Sequence, residues 1–269
     1  MQNWKLTLAY DGTAYHGWQV QPGLLTIQGE LQAALERVLG ESPLPQGSGR
    51  TDAGVHALGQ VASFALAAPI PPENLHRALN RTLPAAVRVI EAQWVSSEFH
   101  ARHSALAKTY DYRIFRGNLC LPFLAPYVHA CRWELDLDSL HQAAEQVVGE
   151  HDFVSLAASD PDQSLRGEED PDLDSGAESE PRSTIRTIFS SHWKEEPGEL
   201  LVYRVRGNGF LHHMVRNLVG TMLEIARGQF PAGSMPRILD ARSRSAAGPT
   251  APARGLFLHS VEYPEDALL

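Results

Sequence analysis

A short glycine-rich segment holds the densest group of polar side chains in the sequence. Residues 47–56 read Gly-Ser-Gly-Arg-Thr-Asp-Ala-Gly-Val-His and present Arg50, Asp52 and His56. Glycine allows tight backbone paths and the close approach of a ligand, and loops between strands are where binding and catalytic groups tend to lie. The segment is therefore either a site that uses these three side chains or a plain turn in which Asp52 caps a backbone amide.

Metal coordination is a second chemistry that the polar side chains could support. Asp11 and His16, together with Asp52 and His56, are of the types that bind divalent metals. Their spacing matches no fixed ligand pattern such as H-E-x-x-H. The sequence therefore does not favour a metal site, and we predict none.

Strand and helix patterns on both sides of the segment must position it. Thr26 is suited to cap a helix over residues 27–39 that ends at Gly40. Strands are predicted at residues 6–10, 60–66, 87–95, 108–115, 185–193, 200–206 and 256–261. Further helices are predicted at residues 73–81 and 137–148, and on the apolar face formed by Phe210, Met214, Leu218, Met222 and Ile225.

The order of these elements repeats along the chain. Residues 1–105 and residues 106–269 each form a βαββ-like half, in which a sheet is backed by helices. The repetition is one of element order and not of sequence. It predicts an α+β fold with two halves.

Two polar residues outside the glycine-rich segment have both an ordinary and a functional interpretation. Tyr110 lies with Tyr112 on a predicted strand, where either ring could simply fill the core. Arg216 lies two residues from both Met214 and Leu218, off the apolar stripe of its helix. A solvated surface arginine would show the same pattern.

Composition places the chain among ordinary globular proteins. Its 269 residues are 43% apolar and 20% charged, and no apolar run approaches the length that spans a bilayer. The amino terminus lacks the basic-then-apolar layout of a secretory signal. Cys120 and Cys131 are the two cysteines, too few for a disulfide scaffold or a four-cysteine zinc site. We therefore expect a cytoplasmic protein with no membrane partner.

The formal charge of -9 argues against a nucleic-acid partner only until its distribution is considered. Residues 159–181 contain nine acidic residues and one arginine, and we predict that this segment is a disordered insertion. The alternative is an acidic mimic of RNA that competes for a basic cleft. Residues 204–244 hold seven arginines against two acidic residues, so the rest of the chain has basic regions.

Several motifs together resemble one family. The run Gly49-Arg-Thr-Asp-Ala-Gly-Val-His56 is similar to the signature of the tRNA pseudouridine synthase A family, and Gly-Gln-Val-Ala-Ser-Phe at residues 59–64 continues it. Residues 10–19, Tyr-Asp-Gly-Thr-Ala-Tyr-His-Gly-Trp-Gln, resemble the family's opening motif. Later motifs follow in the family's order at residues 99–102 (Phe-His-Ala-Arg), 107–112 (Ala-Lys-Thr-Tyr-Asp-Tyr), 209–217 (Gly-Phe-Leu-His-His-Met-Val-Arg-Asn) and 255–258 (Gly-Leu-Phe-Leu).

This resemblance implies an isomerase without cofactor or metal that converts uridine to pseudouridine. The implied targets are positions 38, 39 and 40 in the anticodon stem-loop of tRNA. The matching positions make Asp52 the catalytic nucleophile, Tyr110 the active-site tyrosine and Arg216 the basic residue that pairs with the aspartate. Arg50 matches an arginine that helps to hold the flipped-out nucleotide.

The resemblance also implies the architecture and further contacts. The fold resembles two ferredoxin-like halves that share a continuous, mainly antiparallel sheet, with helices on one face and a central active-site cleft. We expect Tyr110, Arg50, His56 and Arg102 to contact the substrate. A homodimer whose two subunits contact one tRNA is implied as well. The acidic segment 159–181 is longer than is usual at this place in the family.

The residue types suit the implied reaction, which breaks a glycosidic C–N bond and rejoins the uracil through carbon. Asp52 could attack as a nucleophile or act as a base that generates a glycal-like intermediate, and both routes stay open. Arg216 would keep the carboxylate ionised and oriented, and Tyr110 offers a face for stacking and a hydroxyl for late proton transfer. The target base must first be extruded from its stack.

Remaining basic side chains are expected to serve RNA binding. His212 and His213 could suggest a metal site, but adjacent histidines point to different faces and no carboxylate lies at ligand spacing. We therefore expect them to face RNA or to be buried with hydrogen bonds. Candidate phosphate contacts are Arg102, Lys108, Arg113 and Arg116, with the arginines of residues 204–244.

Three rival functions stay open. The first is a non-catalytic RNA-binding or chaperone protein with the same fold, which would tolerate loss of Asp52. The second is a synthase with shifted specificity that acts on other uridines. The third is a carboxylate-dependent hydrolase, against which the lack of a second carboxylate near Asp52 counts.

Overall fold

One β-sheet runs through both halves of the chain. The computed structural model describes residues 1–158 and 183–265, and ten strands of this part form the sheet. In chain order they are β1 (Gln2–Tyr10), β2 (Gln46–Gly47), β3 (His56–Leu66), β4 (Val87–Val95), β5 (Ala107–Phe115), β6 (His129–Ala130), β7 (Gly149–Asp152), β8 (Ile185–Glu196), β9 (Leu200–Gly207) and β10 (Leu256–Glu262). The predicted disordered insertion 159–181 lies outside the described residues.

Five α-helices accompany the described strands. They are α1 (Ile27–Leu39), α2 (Pro72–Thr82), α3 (Leu137–Glu145), α4 (Met214–Ala226) and α5 (Met235–Asp240). None of these helices has both the length and the apolar character that crossing a bilayer requires.

The strand order gives each half the same topology. Across the sheet the order is β4-β1-β3-β10-β5-β9-β8-β7, with β2 paired to β3 and β6 to β5. The first half follows β1-α1-β2-β3-α2-β4, and the second follows β5-α3-β8-β9-α4-β10. In the first half, β4 lies beside β1 and β1 beside β3; in the second half, β10 lies beside β5 and β5 beside β9. Each half therefore has the ferredoxin-like βαββαβ arrangement. The predicted α+β class with a mainly antiparallel sheet is confirmed.

The last strand joins the two halves. β10 pairs antiparallel with β5 and parallel with β3, so Leu258 has Tyr110 on one side and Ala57 on the other. Ala57 in turn pairs with Tyr10 of β1. Because paired residues in a sheet point to the same face, these four side chains form one row. The division at residues 105 and 106 stays a prediction, and β10 lies against strands from both sides of it.

The helices pack on the face that this row occupies. Tyr10, Tyr110 and Leu258 belong to one buried cluster with Leu31 of α1 and Leu218 of α4. Side chains from α2 and α3 belong to the same cluster. One helix-covered face therefore runs across both halves.

Local sequence signals placed some element ends well and others poorly. The Thr26 side chain accepts the N–H of Gly29, and Gly40 ends α1 with φ 71°, as predicted. The predicted helix from Phe210 begins at Met214, because His213 before it has a left-handed backbone. The third helix ends at Glu145 and not at residue 148, because Gly149 already belongs to a strand.

The strand predicted at residues 60–66 begins four residues earlier, at His56. Glycine is unfavourable inside a strand, so Gly59 obscured the strand pattern of residues 56–59. In the fold, a Cβ at Gly59 would lie 2.6 Å from the carbonyl oxygen of His259 on β10. Glycine is therefore needed here because the neighbouring strand approaches so closely.

Candidate active site

Asp52 lies in the loop where β3 exchanges one neighbour for another. β2 pairs with residues 62–63 of β3, while β10 pairs with residues 56–57 at its other end. Residues 48–55 connect the end of β2 to the start of β3 across this exchange. The loop that carries Asp52 therefore opens at the junction between the two halves.

Main-chain contacts from the opening motif fix this loop. The carbonyl of Thr51 accepts the N–H of Trp18 at 3.0 Å, and the Thr51 hydroxyl lies 2.8 Å from the hydroxyl of Tyr10. Gly17 has φ 87°, and a Cβ there would lie 2.4 Å from the carbonyl oxygen of Thr51. The two segments thus touch backbone to backbone, and the position of Asp52 is set by residues far earlier in the chain.

Arg216 holds the carboxylate of Asp52. Its Nη1 donates to Oδ2 at 2.8 Å, and its Nε donates to the carbonyl of Ala251 at 2.7 Å. The N–H of Ala251 returns a hydrogen bond to the carbonyl of Arg216. The Asp52 side chain is 23% exposed, so a substrate can still reach it. This charge-assisted bond fixes the orientation of an ionised, accessible carboxylate.

His212 and His213 also face this carboxylate, contrary to the expectation that they point to different faces. His213 Nε2 lies 3.2 Å from Oδ2 of Asp52, and His212 Nε2 lies 3.6 Å from Oδ1. The two rings lie side by side with centroids 3.9 Å apart and planes inclined at 31°. The expectation fails because His213 adopts φ 58°, which breaks the alternation of an extended chain and the spacing of a helix. No sequence signal indicated this conformation.

The same three side chains could in principle bind a cation. Within the described residues, Asp52, His212 and His213 form a group whose ligand atoms lie within 4.8 Å of one another. The guanidinium of Arg216 already binds the carboxylate, and its permanent charge would repel a metal ion there. The donor set therefore does not fit a resident metal. His56, from the metal alternative, lies beside Asp11 instead, at 3.2 Å.

Tyr110 lies next to this centre. It is buried on β5, and its ring meets Phe210 edge to face with centroids 5.0 Å apart. Burial raises the pKa of Tyr110 far above its ordinary value, and the charges of Tyr10 and Asp52 add to the rise. The phenol is therefore protonated at neutral pH and can donate a hydrogen bond toward the site.

His56 is buried, and its ring connects segments that lie far apart in the sequence. Its Nδ1 accepts the N–H of Gly12 at 3.1 Å, so Nε2 carries the proton and donates to the carbonyl of Pro126. The ring stacks on Phe257 with centroids 4.7 Å apart, and burial lowers its pKa. Both nitrogens are engaged within the protein, so the substrate contact predicted for His56 stays a prediction.

Arg50 and Arg102 are both exposed, on the Asp52 loop and in the turn after Phe99. Lys108 of β5 donates from Nζ to the carbonyl of Ser48 in the same loop. Burial, followed by the positive charges of Arg102 and Arg186, lowers the pKa of Lys108 to about 8. Lys108 thus contacts the Asp52 loop, and Arg102 and Arg186 lie close enough to Lys108 to act on it electrostatically. Arg186 is the one of these cations that the sequence did not single out.

Other expected phosphate contacts are occupied by the protein itself. Arg204 makes a two-pronged pair with Asp111, with both contacts at 2.6 Å. Arg206 pairs with Glu262 in the same way. Arg116 pairs with Glu195. For these arginines the local sequence gave no indication of the partner, because each acid lies on a different strand or loop.

Fold and site together define a pseudouridine synthase, with one oriented aspartate at the junction of two ferredoxin-like halves. A family model described as tRNA pseudouridine synthase matches residues 7–104 and 143–264, and the chain belongs to this family. Its members are isomerases that convert uridine to pseudouridine. The family identified from the sequence motifs is thereby confirmed.

Relatives match along the whole chain. The tRNA pseudouridine synthase A of Solibacter usitatus is 49% identical over 264 residues, which cover 98% of this chain and 100% of that protein. The tRNA pseudouridine synthase A of Moorella thermoacetica is 44% identical over 261 residues, covering 96% and 98%. A Nop10–Cbf5 complex of an archaeal box H/ACA sRNP gives a TM-score of 0.32 at 14% identity, with 82% of this chain and 44% of that chain covered, and carries no weight here.

Proposed function

We propose that this chain isomerises uridine to pseudouridine at positions 38, 39 and 40 of the tRNA anticodon stem-loop, with Asp52 as the catalytic nucleophile or base. The observation that carries the proposal is the 2.8 Å bond from Arg216 to Asp52 beside the buried Tyr110. A protein that only bound RNA would have no use for an ionised carboxylate in its cleft, since the carboxylate repels phosphate.

The reaction exchanges one bond of the uracil for another. The C1′–N1 bond breaks while Asp52 either forms an ester with C1′ or removes the proton from C2′ to leave a glycal. The uracil then rotates and the C1′–C5 bond forms, as the ester to Asp52 breaks or the glycal regains its C2′ proton. The hydrogen on C5 leaves as a proton, and N1 takes up one proton. Atoms balance without an oxidant, a reductant or water. The protonated hydroxyl of Tyr110 donates a hydrogen bond to the uracil or to the group that accepts the proton from C5.

The exposed cations supply the RNA contacts in this proposal. Arg50 lies two residues from Asp52 and would hold the flipped-out nucleotide, while Arg102 contacts the backbone nearby. Lys108 and Arg186 add positive charge beside the same loop. Such contacts make binding fall steeply with salt. The base must leave its stack to reach Asp52, because the carboxylate is only partly exposed.

The assembly and location follow the same proposal. We infer that two chains form a homodimer that contacts one tRNA and that the enzyme works in the cytoplasm. Light scattering on the purified protein tests the dimer, with an expected mass about twice the 29.6 kDa of one chain. A mass equal to one chain at micromolar concentration contradicts it.

Position mapping tests the proposed targets. Anticodon stem-loops carrying a single uridine at position 38, 39 or 40 are incubated with the enzyme, and pseudouridine is located by chemical adduct and primer extension. A stem-loop with its single uridine at position 35 is the matched control. Conversion at 38, 39 and 40 alone supports the proposal. Conversion only elsewhere shows a synthase with shifted specificity, and binding without conversion shows the non-catalytic alternative.

A further inference from the structure

The backbone of His213 is unusual in two ways. Its φ of 58° and ψ of 4° place it in the left-handed region, which is unfavourable for a residue with a Cβ. It also occupies the position that caps α4, yet its side chain makes no capping hydrogen bond. Asparagine, serine or glycine would suit this position better. A residue that is locally unfavourable on both counts indicates a role beyond the stability of the helix.

The left-handed turn has a specific effect on the side chains. It brings the rings of His212 and His213 side by side and directs both Nε2 atoms at Asp52. Oδ2 then has two basic neighbours, Arg216 Nη1 at 2.8 Å and His213 Nε2 at 3.2 Å. Oδ1 has His212 Nε2 at 3.6 Å. The two carboxylate oxygens therefore differ in their surroundings, and Oδ1 has the greater distance from positive charge.

The His213 side chain is suited to hold the carboxylate of Asp52 without neutralising its charge. Burial lowers the pKa of His213, and the positive charges of Arg216 and Arg244 and the neighbouring His212 lower it further, while Asp52 opposes them. Within residues 1–158 and 183–265, these four are the ionisable groups that act on the ring. Near neutral pH the imidazole is uncharged and can offer one N–H to Asp52.

We propose that His213 is a positioning residue for Asp52. Its ring fixes the plane of the carboxylate with Oδ2 toward Arg216, and so presents Oδ1 to C1′ or C2′ of the target nucleotide. This inference rests on the proposed function. His213 needs no contact with the RNA in this role, since it acts through Asp52.

Three variants test the role. His213→Gly keeps the left-handed backbone without its strain and removes the ring. His213→Gln keeps a side chain that can place an amide N–H near the position of Nε2. Glu199→Gly is the matched control, because Glu199 is also a non-glycine residue with positive φ (61°) and is exposed in the turn between β8 and β9. Each is measured for single-turnover tritium release from tRNA labelled at uridine C5, tRNA affinity and thermal unfolding.

The role predicts a loss of rate without a loss of binding. His213→Gly should slow tritium release at least tenfold, keep tRNA affinity within twofold and unfold no earlier than the wild type. His213→Gln should recover part of the rate. Its rate should also persist to lower pH than that of the wild type, because no imidazole is present whose protonation would lower the reactivity of the Asp52 carboxylate. Glu199→Gly should match the wild type in rate and tRNA affinity and, like His213→Gly, should unfold no earlier than the wild type.

Other outcomes overturn the inference. Tritium release by His213→Gly within twofold of the wild type shows that the ring does not position Asp52. Weaker tRNA binding with an unchanged rate shows that His213 is instead an RNA contact. If the wild type itself releases no tritium, the proposed function fails, which is a different result from the failure of His213 alone.

Discussion

Arg216 donates a hydrogen bond to Oδ2 of Asp52 across 164 positions of sequence, and this bond helps to link the two halves of the protein at the site. Asp52 belongs to the loop before β3, and Arg216 lies in the first turn of α4. The aspartate is therefore oriented only when both halves are folded and joined through β10. The orientation of the Asp52 carboxylate therefore depends on the junction between the two halves.

Replacing Arg216 by lysine should leave a folded but nearly inactive protein. Lysine keeps the charge but cannot bind the carbonyl of Ala251 and the carboxylate of Asp52 at once, as the guanidinium does. A hydrogen bond to a charged group contributes about 1.5–3 kcal/mol, so we expect the rate of tritium release to fall roughly 10- to 100-fold. Arg81→Lys, at an exposed position in the last turn of α2, is the control and should retain full activity. Equal rates for both variants would contradict the orienting role.

Removing the hydroxyl of Tyr110 should affect chemistry more than folding. Tyr110→Phe keeps the ring against Phe210, so the core should survive. Loss of this hydrogen-bond donor should slow tritium release by about 100-fold or more while tRNA binding is kept. Tyr112→Phe is matched, because Tyr112 lies two residues away and donates to the carbonyl of Pro252. It should cost about 1 kcal/mol of stability and little activity, and the reverse pattern would refute the assignment.

Gly17 should tolerate alanine far less well than another left-handed glycine. A Cβ at Gly17 would lie 2.4 Å from the Thr51 carbonyl, while Gly23, with φ 73°, has nothing within 4 Å. Gly23→Ala therefore measures backbone strain alone, about 1–2 kcal/mol. Gly17→Ala should cost at least about 1 kcal/mol more in urea unfolding, and should also slow the reaction by displacing the Asp52 loop. Equal costs would show that the close approach does not hold the loop.

Lys108 should make the stability of the protein rise in mildly alkaline solution. Its pKa is about 8 in the fold and near its ordinary value of 10.5 when unfolded. Between these values the unfolded chain binds the extra proton, so the free energy of unfolding rises with pH. In urea unfolding from pH 7 to 10, the free energy of unfolding of the wild type should rise relative to that of Lys108→Met above about pH 8. Parallel curves for the two proteins would contradict the shifted pKa.

Features that depend on neighbouring residues could be predicted from the sequence. Helix α1 is predicted to the residue because Thr26 and Gly40 mark its ends locally. Helix α5 was missed because it is only six residues long and contains Pro236. β2 and β6 have two residues each, and they are strands only because β3 and β5 supply the hydrogen bonds.

The site itself could be predicted only in part. Asp52, Arg216 and Tyr110 came from the family resemblance, and the structure brings them together. The pair of histidines beside Asp52 could not be predicted, because their placement depends on the left-handed backbone of His213. The burial of His56 depends on Phe257 and Pro126, which lie far away in the sequence. Contacts between distant segments are not visible in local residue patterns.

Tritium release from tRNA labelled at uridine C5 decides whether this protein isomerises uridine through Asp52. Isomerisation must expel the hydrogen from C5, so the assay reports the chemistry and not the binding. The wild type should release it, Asp52→Asn should release none while still binding tRNA, and Asp240→Asn, at an exposed residue of α5, should behave as the wild type. Release by Asp52→Asn at the wild-type rate would contradict the account, as would a wild type that binds tRNA and releases nothing.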